Sequence, residues 1–173
     1  MNFEELVNKR FSCRNFSDKQ VEKEKVEKII ELSNLAPSAC NSQPYKIYVT
    51  RKETAKKISQ ARSLNMNGFI EKADTIFVIE EEGYNLTAKV GSKLKDQDYR
   101  SVDIGILSSY ITLAAQELGL ATCIIGMFDE EKIKNILGAK GRIRLLIAMG
   151  YSNTLKAPDK KRKDIEKAWK ELD

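Results

Sequence analysis

Residues 102–118 carry Ile104, Leu107, Ile111, Ala114, Ala115 and Leu118 on one stripe at helical spacing, and Ile106, Tyr110 and Leu113 on a second. A helix lying against solvent keeps one polar face. One that is apolar on two faces has to be covered on both, by its own core and by something further such as a second subunit. This helix therefore asks for a layered fold in which it is central. Gly119 stands where a helix C-terminal cap belongs, and residues 121–125 then read as a strand.

The neighbouring segments supply the other layers. Phe3, Leu6 and Val7 predict a short helix over 2–8. Val26, Ile29, Ile30 and Leu35, with Glu22, Lys23, Glu27, Lys28 and Glu31 opposite, predict an amphipathic helix over 22–35. Ser17-Asp18 offers turn and capping chemistry before it, and Pro37 stops it. Short apolar runs at 45–50, 75–79 and 142–151 predict strands. Residues 53–63 look helical but weakly amphipathic, and Asp129 is placed to cap a helix over 130–137 that Gly138 closes. Residues 84–99 show no sustained period and are expected to form a surface excursion. Four strands separated by helices, with no Gly-x-Gly-x-x-Gly after any of them, predict one α+β layered domain over 1–173 and not a Rossmann repeat.

Composition removes several kinds of chemistry. The chain has no histidine, so histidine-based triads and imidazole-bound zinc are out, and no metal site is expected. Its three cysteines, Cys13, Cys40 and Cys123, form no CxxC and are too scattered for a disulfide framework, which fits reduced thiols. No apolar run approaches the roughly 20 residues of a membrane span, and the start Met1-Asn2-Phe3-Glu4-Glu5 lacks the layout of a secretory signal. A cytoplasmic protein with no membrane partner is expected. Chemistry at neutral pH then falls to a bound cofactor, and a formal charge of +5 suits an anionic one.

Two stretches could grip such a ligand. In Arg10-Phe11-Ser12-Cys13-Arg14-Asn15-Phe16 the period is two, which sends Arg10, Ser12 and Arg14 to one side of an extended segment. Two guanidinium forks and a hydroxyl aimed at one place suit a phosphate, or else form a solvated basic patch. In Ala36-Pro37-Ser38-Ala39-Cys40-Asn41-Ser42-Gln43-Pro44 a helical period stops at a polar, proline-bounded loop and a strand begins at once. Short polar and amide side chains there bind backbone or a planar polar ligand.

Arg10-x-Ser12-x-Arg14, followed by Ala36-Pro37-Ser38-x-x-Asn41-x-Gln43-Pro44, resembles the nitroreductase family of FMN-dependent oxidoreductases. The resemblance implies a central, mainly antiparallel sheet flanked by helices, with the long helix at a homodimer interface. It also implies FMN as cofactor. Arg10 and Ser12, joined by Lys160 and Arg162 from Lys160-Lys161-Arg162-Lys163 near the C-terminus, would hold its phosphate. Arg14 would sit near the flavin N1 and O2 edge and tune its potential. The loop at Pro37, Ser38, Ala39 and Asn41 would meet the flavin held mainly by the other subunit. Asn65, or alternatively Asn67, would reach the ring, and the backbone amides of Ile125 and Gly126 would face N5 and O4. Gly126 also reads as a turn glycine with positive φ. Two positions depart from the family: Tyr45 stands where tryptophan is frequent, and Ile125 where larger members often have an acid.

The activity so implied is ping-pong hydride transfer from NADH or NADPH, through the flavin, to a small electron-poor acceptor such as a nitroaromatic or quinone. No side chain is expected to act as acid or base. Dehalogenation, ene reduction and flavin fragmentation are alternatives on the same fold. A non-enzymatic basic binding module is a further alternative. Against it, and against a nucleic-acid partner, stands the lack of aromatic residues interleaved with the basic ones.

Overall fold

The computed structural model describes residues 1–64 and 66–172, and of residues 90 and 92–95 it describes the backbone. Four strands, β1 (Tyr45–Arg51), β2 (Thr75–Glu81), β3 (Ala121–Ile125) and β4 (Ile143–Gly150), form one sheet in the order β1-β2-β4-β3. Every neighbouring pair is antiparallel. Six α-helices flank it: α1 (Phe3–Lys9), α2 (Lys23–Ser33), α3 (Lys52–Ser59), α4 (Leu86–Lys95), α5 (Tyr99–Glu117) and α6 (Glu130–Leu137). This is the α+β layered architecture expected, with one long helix.

The period-two alternation of β2 divides the core into two layers. Ile76 and Val78 pack on one face with Ala55 and Ile58 of α3 and Ile133 of α6. Phe77 and Ile79 pack on the other with Val26 and Ile29 of α2 and Ile104, Leu107 and Ile111 of α5. β2 is buried on both sides, as its unbroken apolar run requires. Cutting Leu107 or Ile111 to alanine would cost about 2–5 kcal/mol by the cavity it leaves.

Glycine closes α5 as its place in the sequence predicts. Gly119 has φ +76, its N–H donates to the carbonyl of Gln116, and the N–H of Leu120 donates to that of Ala115. This is a Schellman arrangement, which only a residue at ease with positive φ completes without strain. At α6 the carboxylate of Asp129 accepts from the N–H of Lys132, and Gly138 ends the helix at φ +65. A β-bulge at Ile79 and Glu80 is filled from the side, where the Glu80 carboxylate accepts from the backbone amides of Lys140 and Gly141.

Three expectations change. Residues 84–99 are not an irregular excursion: α4 runs through them, started by Asn85, whose side chain accepts from the N–H of Ala88. Its weak period hid it, although an asparagine N-cap is a readable signal. Ser17-Asp18 does not cap α2. Glu22 occupies the N-cap without a side-chain bond, and Asp18 pairs with Lys72 instead. Leu35 leaves the apolar face of α2 because the helix ends at Ser33, and it lies 70% exposed.

Candidate functional site

The segment after α1 lies along the free edge of β3. Ser12 and Thr122 form a parallel bridge, the N–H of Cys13 donates to the carbonyl of Thr122 at 2.9 Å, and Phe16 bridges Ser152. Extended backbone separates the side chains as the alternation predicts through Arg14, and the order then shifts by one, with Asn15 exposed and Phe16 buried. Cys13 and Phe16 enter the core, while Ser12 and Arg14 stay exposed and Arg10 is half-buried. The C-terminal segment crosses over them. A cavity of about 200 Å³ is lined by Arg10, Phe11, Ser12 and Arg14 on one side and Pro158 to Arg162 on the other.

Three arginines, Arg10, Arg14 and Arg162, and two lysines, Lys160 and Lys161, so placed form a dense positive site. Among the described residues none of Arg10, Arg14, Lys160 and Arg162 has a carboxylate within ion-pair distance, although Asp159 lines the same cavity. Arg162 donates to the carbonyl of Lys161, and Arg14 to that of Ser12 at 3.4 Å, with its guanidinium 5.9 Å from the centre of the Phe69 ring. Lys160 is engaged differently: its ammonium donates to the carbonyls of Val7 and Asn8, at the C-terminal end of α1 where the helix dipole is negative. Burial holds that ammonium below its ordinary pKa, and the charges of Arg10 and Arg162 push the same way. Cations crowded closely enough to disturb one another, with no carboxylate to neutralise them, make a site for an anion.

At the far end of β3, Ile125 is buried and Gly126 is exposed. Gly126 does not have positive φ, which corrects the turn reading, and a Cβ built on it meets nothing within 4 Å. Neither backbone conformation nor packing within the chain demands glycine there. Asn67, at φ +61, donates to the carbonyl of Met127 at 3.2 Å, which brings it to this strand end. Asn65 lies outside the described residues.

The Pro37 loop is strained and heavily tied. Cys40, Asn41 and Gln43 all have φ between +45 and +52, a conformation that costs a non-glycine residue about 1 kcal/mol or more and persists only when the surroundings enforce it. Ser38 Oγ accepts from the N–H of Gln43 at 3.0 Å, and Asn85 donates through its side chain to the carbonyl of Cys40 at 3.0 Å and through its backbone N–H to Ser42 Oγ at 2.9 Å. From α5, Asp103 Oδ1 accepts from the N–H of Ala39 at 3.0 Å. Asn85 and Asp103 were missed in the sequence. A carboxylate set between Val102 and Ile104 in an apolar helix was the available signal for the second.

The fold keeps this loop away from the cationic cavity. The loop leads into β1 and the cavity lies beyond β3, so the whole sheet stands between them, three inter-strand spacings or roughly 14 Å. Pro37, Ser38, Ala39 and Asn41 do not line the cavity of Arg10, Ser12, Arg14, Lys160 and Arg162. An apolar face lies between the helices instead. Phe3, Leu6, Leu32, Leu35, Tyr110 and Leu113 line a groove of about 510 Å³, which is the second stripe of α5, uncovered. No described helix is long and apolar enough to cross a membrane.

The chain matches the family model described as the nitroreductase family over residues 7–66 and 59–151. An oxygen-insensitive NADPH nitroreductase of Helicobacter acinonychis is 29% identical over 180 residues, covering 84% of this chain and 85% of the relative. Human iodotyrosine deiodinase 1 is 24% identical over 193 residues, covering 95% of this chain and 66% of that protein. Among solved structures, an FMN-dependent nitroreductase of Clostridium difficile R20291 superposes with a TM-score of 0.73 at 27% identity, over 93% of this chain and 92% of that one. With the sheet order, the long helix and the matched residues together, the chain belongs to the nitroreductase family.

Proposed function

We propose that the protein is an FMN-dependent oxidoreductase that takes electrons from NADH or NADPH and passes them to small electron-poor acceptors, working as a homodimer with two FMN sites at its interface. The observation that carries this is the cavity where Arg10, Arg14, Lys160 and Arg162 converge with Ser12 and, among the described residues, have no carboxylate within ion-pair distance. A phosphate monoester fits that donor set, since guanidinium forks and a hydroxyl match its oxygens. FMN held there would supply the hydride-transfer chemistry between nicotinamide and acceptor, and the chain need supply no acid or base.

The chain's own residues hold and orient. Arg10, Ser12 and Arg162 take the phosphate, while Lys160 fastens the C-terminal segment to the end of α1 and adds its charge at short range. Ile125 and Gly126 present backbone amides at the strand end, and the absent Cβ of Gly126 leaves room for a planar ring to approach. Asn67 stands beside them. Pro37, Ser38, Ala39 and Asn41 complete the site of a second copy, because one chain holds them at the opposite sheet edge. The uncovered stripe of α5 is the surface on which that copy packs. The three free thiols suit a reducing compartment, the cytoplasm. One domain over 1–173 carries all of this.

Purified protein should be yellow, release FMN on denaturation and bleach anaerobically with NADH or NADPH. Turnover with a nitroaromatic, a quinone and an iodinated phenol ranks the acceptors, the last arm being set by the deiodinase relative. A colourless protein that FMN cannot reconstitute would sink the proposal.

A further inference from the structure

Asp103 is 2% exposed, on the inner side of α5, and the fold makes no ordinary use of it. Its Oδ1 accepts from the N–H of Ala39, and its Oδ2 is buried with no hydrogen bond. No cation pairs with it among the described residues. A carboxylate in that position costs folding free energy that an apolar residue of similar size would not. What it holds is the entry to the strained turn: Ala39 precedes Cys40 and Asn41, both with positive φ, and the rest of the loop is tied to Ser38 and Asn85. Its field also reaches the residue after the loop, where burial and then the Asp103 charge raise the pKa of Tyr45. On the same helix Tyr110 is exposed and lines the uncovered apolar groove.

We propose that Asp103 is the positioning residue of the Pro37 loop, fixing Ala39 so that Ser38 and Asn41 meet FMN bound in the Arg10 and Ser12 cavity of the second copy. The inference rests on the FMN and homodimer reading above. It adds that α5 is both the surface on which the copies pack and the part that sets the loop serving the partner's site. Oδ1 acts by accepting one backbone hydrogen bond, and the carboxylate touches neither flavin nor acceptor.

The test uses the dimeric holoprotein with Asp103→Ala, Asp103→Asn and Arg10→Ala. Losing a hydrogen bond to a charged group should weaken FMN binding about tenfold or more in Asp103→Ala, with far-ultraviolet dichroism and dimerisation unchanged. Asp103→Asn keeps an acceptor at the Oδ1 position and should recover most of the affinity and the wild-type visible dichroism of the bound flavin. Asp103→Ser, one bond too short to reach Ala39, replaces the alanine variant if that one does not fold. Co-expressing Arg10→Ala with Asp103→Ala should then restore FMN to about a quarter of the sites, because a mixed dimer of symmetric copies rebuilds one intact site. Equal FMN affinity in wild type and Asp103→Ala would overturn the role of Asp103 while leaving the FMN reading intact. So would an asparagine variant as defective as the alanine one, or no recovery in mixed dimers. A wild type that holds no FMN would overturn the underlying reading and this inference with it.

Discussion

The hydroxyl of Tyr48 on β1 donates to Oε2 of Glu80 on β2 at 2.6 Å, and this bond joins the edge strand to the bulge that Lys140 and Gly141 complete. Burial pushes the Glu80 carboxyl up. Hydrogen bonds from Tyr48 and from the amides of Gly141 and Lys140 outweigh it and hold the group below its ordinary value. The same bond pushes Tyr48 up to about 12.

Tyr48→Phe should lower stability by about 1–2 kcal/mol at neutral pH, the worth of a hydrogen bond from a half-buried hydroxyl to a charged acceptor. A lowered carboxyl pKa gives stability that is present above the unfolded value and lost as pH falls through the folded one. The gap in melting temperature between wild type and variant should therefore narrow below the ordinary carboxyl value of 4.5. For Tyr48 the sign reverses, and its contribution should fade between the ordinary phenol value of 10.0 and about 12. Thermal melts across a pH series measure both.

Arg10→Ala should weaken FMN retention about tenfold or more, since a charge-assisted contact is worth roughly 1.5–3 kcal/mol. Lys160→Met should cost less affinity and more order, because its ammonium is spent on Val7 and Asn8. Titration of apo protein with FMN separates the two. Unchanged affinity in Arg10→Ala would reject the phosphate assignment.

Arg14→Gln should lower the two-electron potential of bound flavin and slow its reduction by nicotinamide, with modest loss of FMN. A fixed cation stabilises the form carrying more negative charge, and the Arg14 guanidinium lies 5.9 Å from the centre of the Phe69 ring. Spectroelectrochemical titration decides: an unshifted potential in a fully loaded variant would contradict the redox role, and loss of FMN as the main effect would make Arg14 a further phosphate contact in the cavity it lines.

Gly126→Val should leave melting temperature close to wild type, because its backbone is not in the left-handed region and a Cβ meets nothing within 4 Å. FMN binding should nevertheless fall, as the added branches fill the approach to the strand end. A variant that binds FMN normally would remove Gly126 from the site.

Tyr110→Asp should shift the protein from dimer to monomer in sedimentation over a dilution series and take FMN with it. Charge placed on the uncovered stripe of α5 cannot be buried without a large desolvation cost. A monomer that keeps FMN would overturn the shared-site arrangement.

The sequence by itself settled what depends on local period and backbone chemistry. The two apolar stripes of residues 102–118 required a central helix, and one stripe is buried while Tyr110 of the other is 39% exposed. Gly119 and Gly138 marked helix ends because positive φ is cheap only for glycine. The alternation from Arg10 to Arg14 separated core from surface because successive side chains on an extended segment point opposite ways. Tertiary structure alone decided the rest. Lys160 and Arg162 come to Arg10 through a crossing of chain ends that no local pattern encodes, and Lys160 turned out to be engaged by α1. Strand order placed the Pro37 loop and the Arg10 segment on opposite edges of the sheet. The roles of Asn85 and Asp103 as ties of that loop come from packing between distant elements, since side-chain chemistry names a donor or acceptor but only the fold chooses its partner.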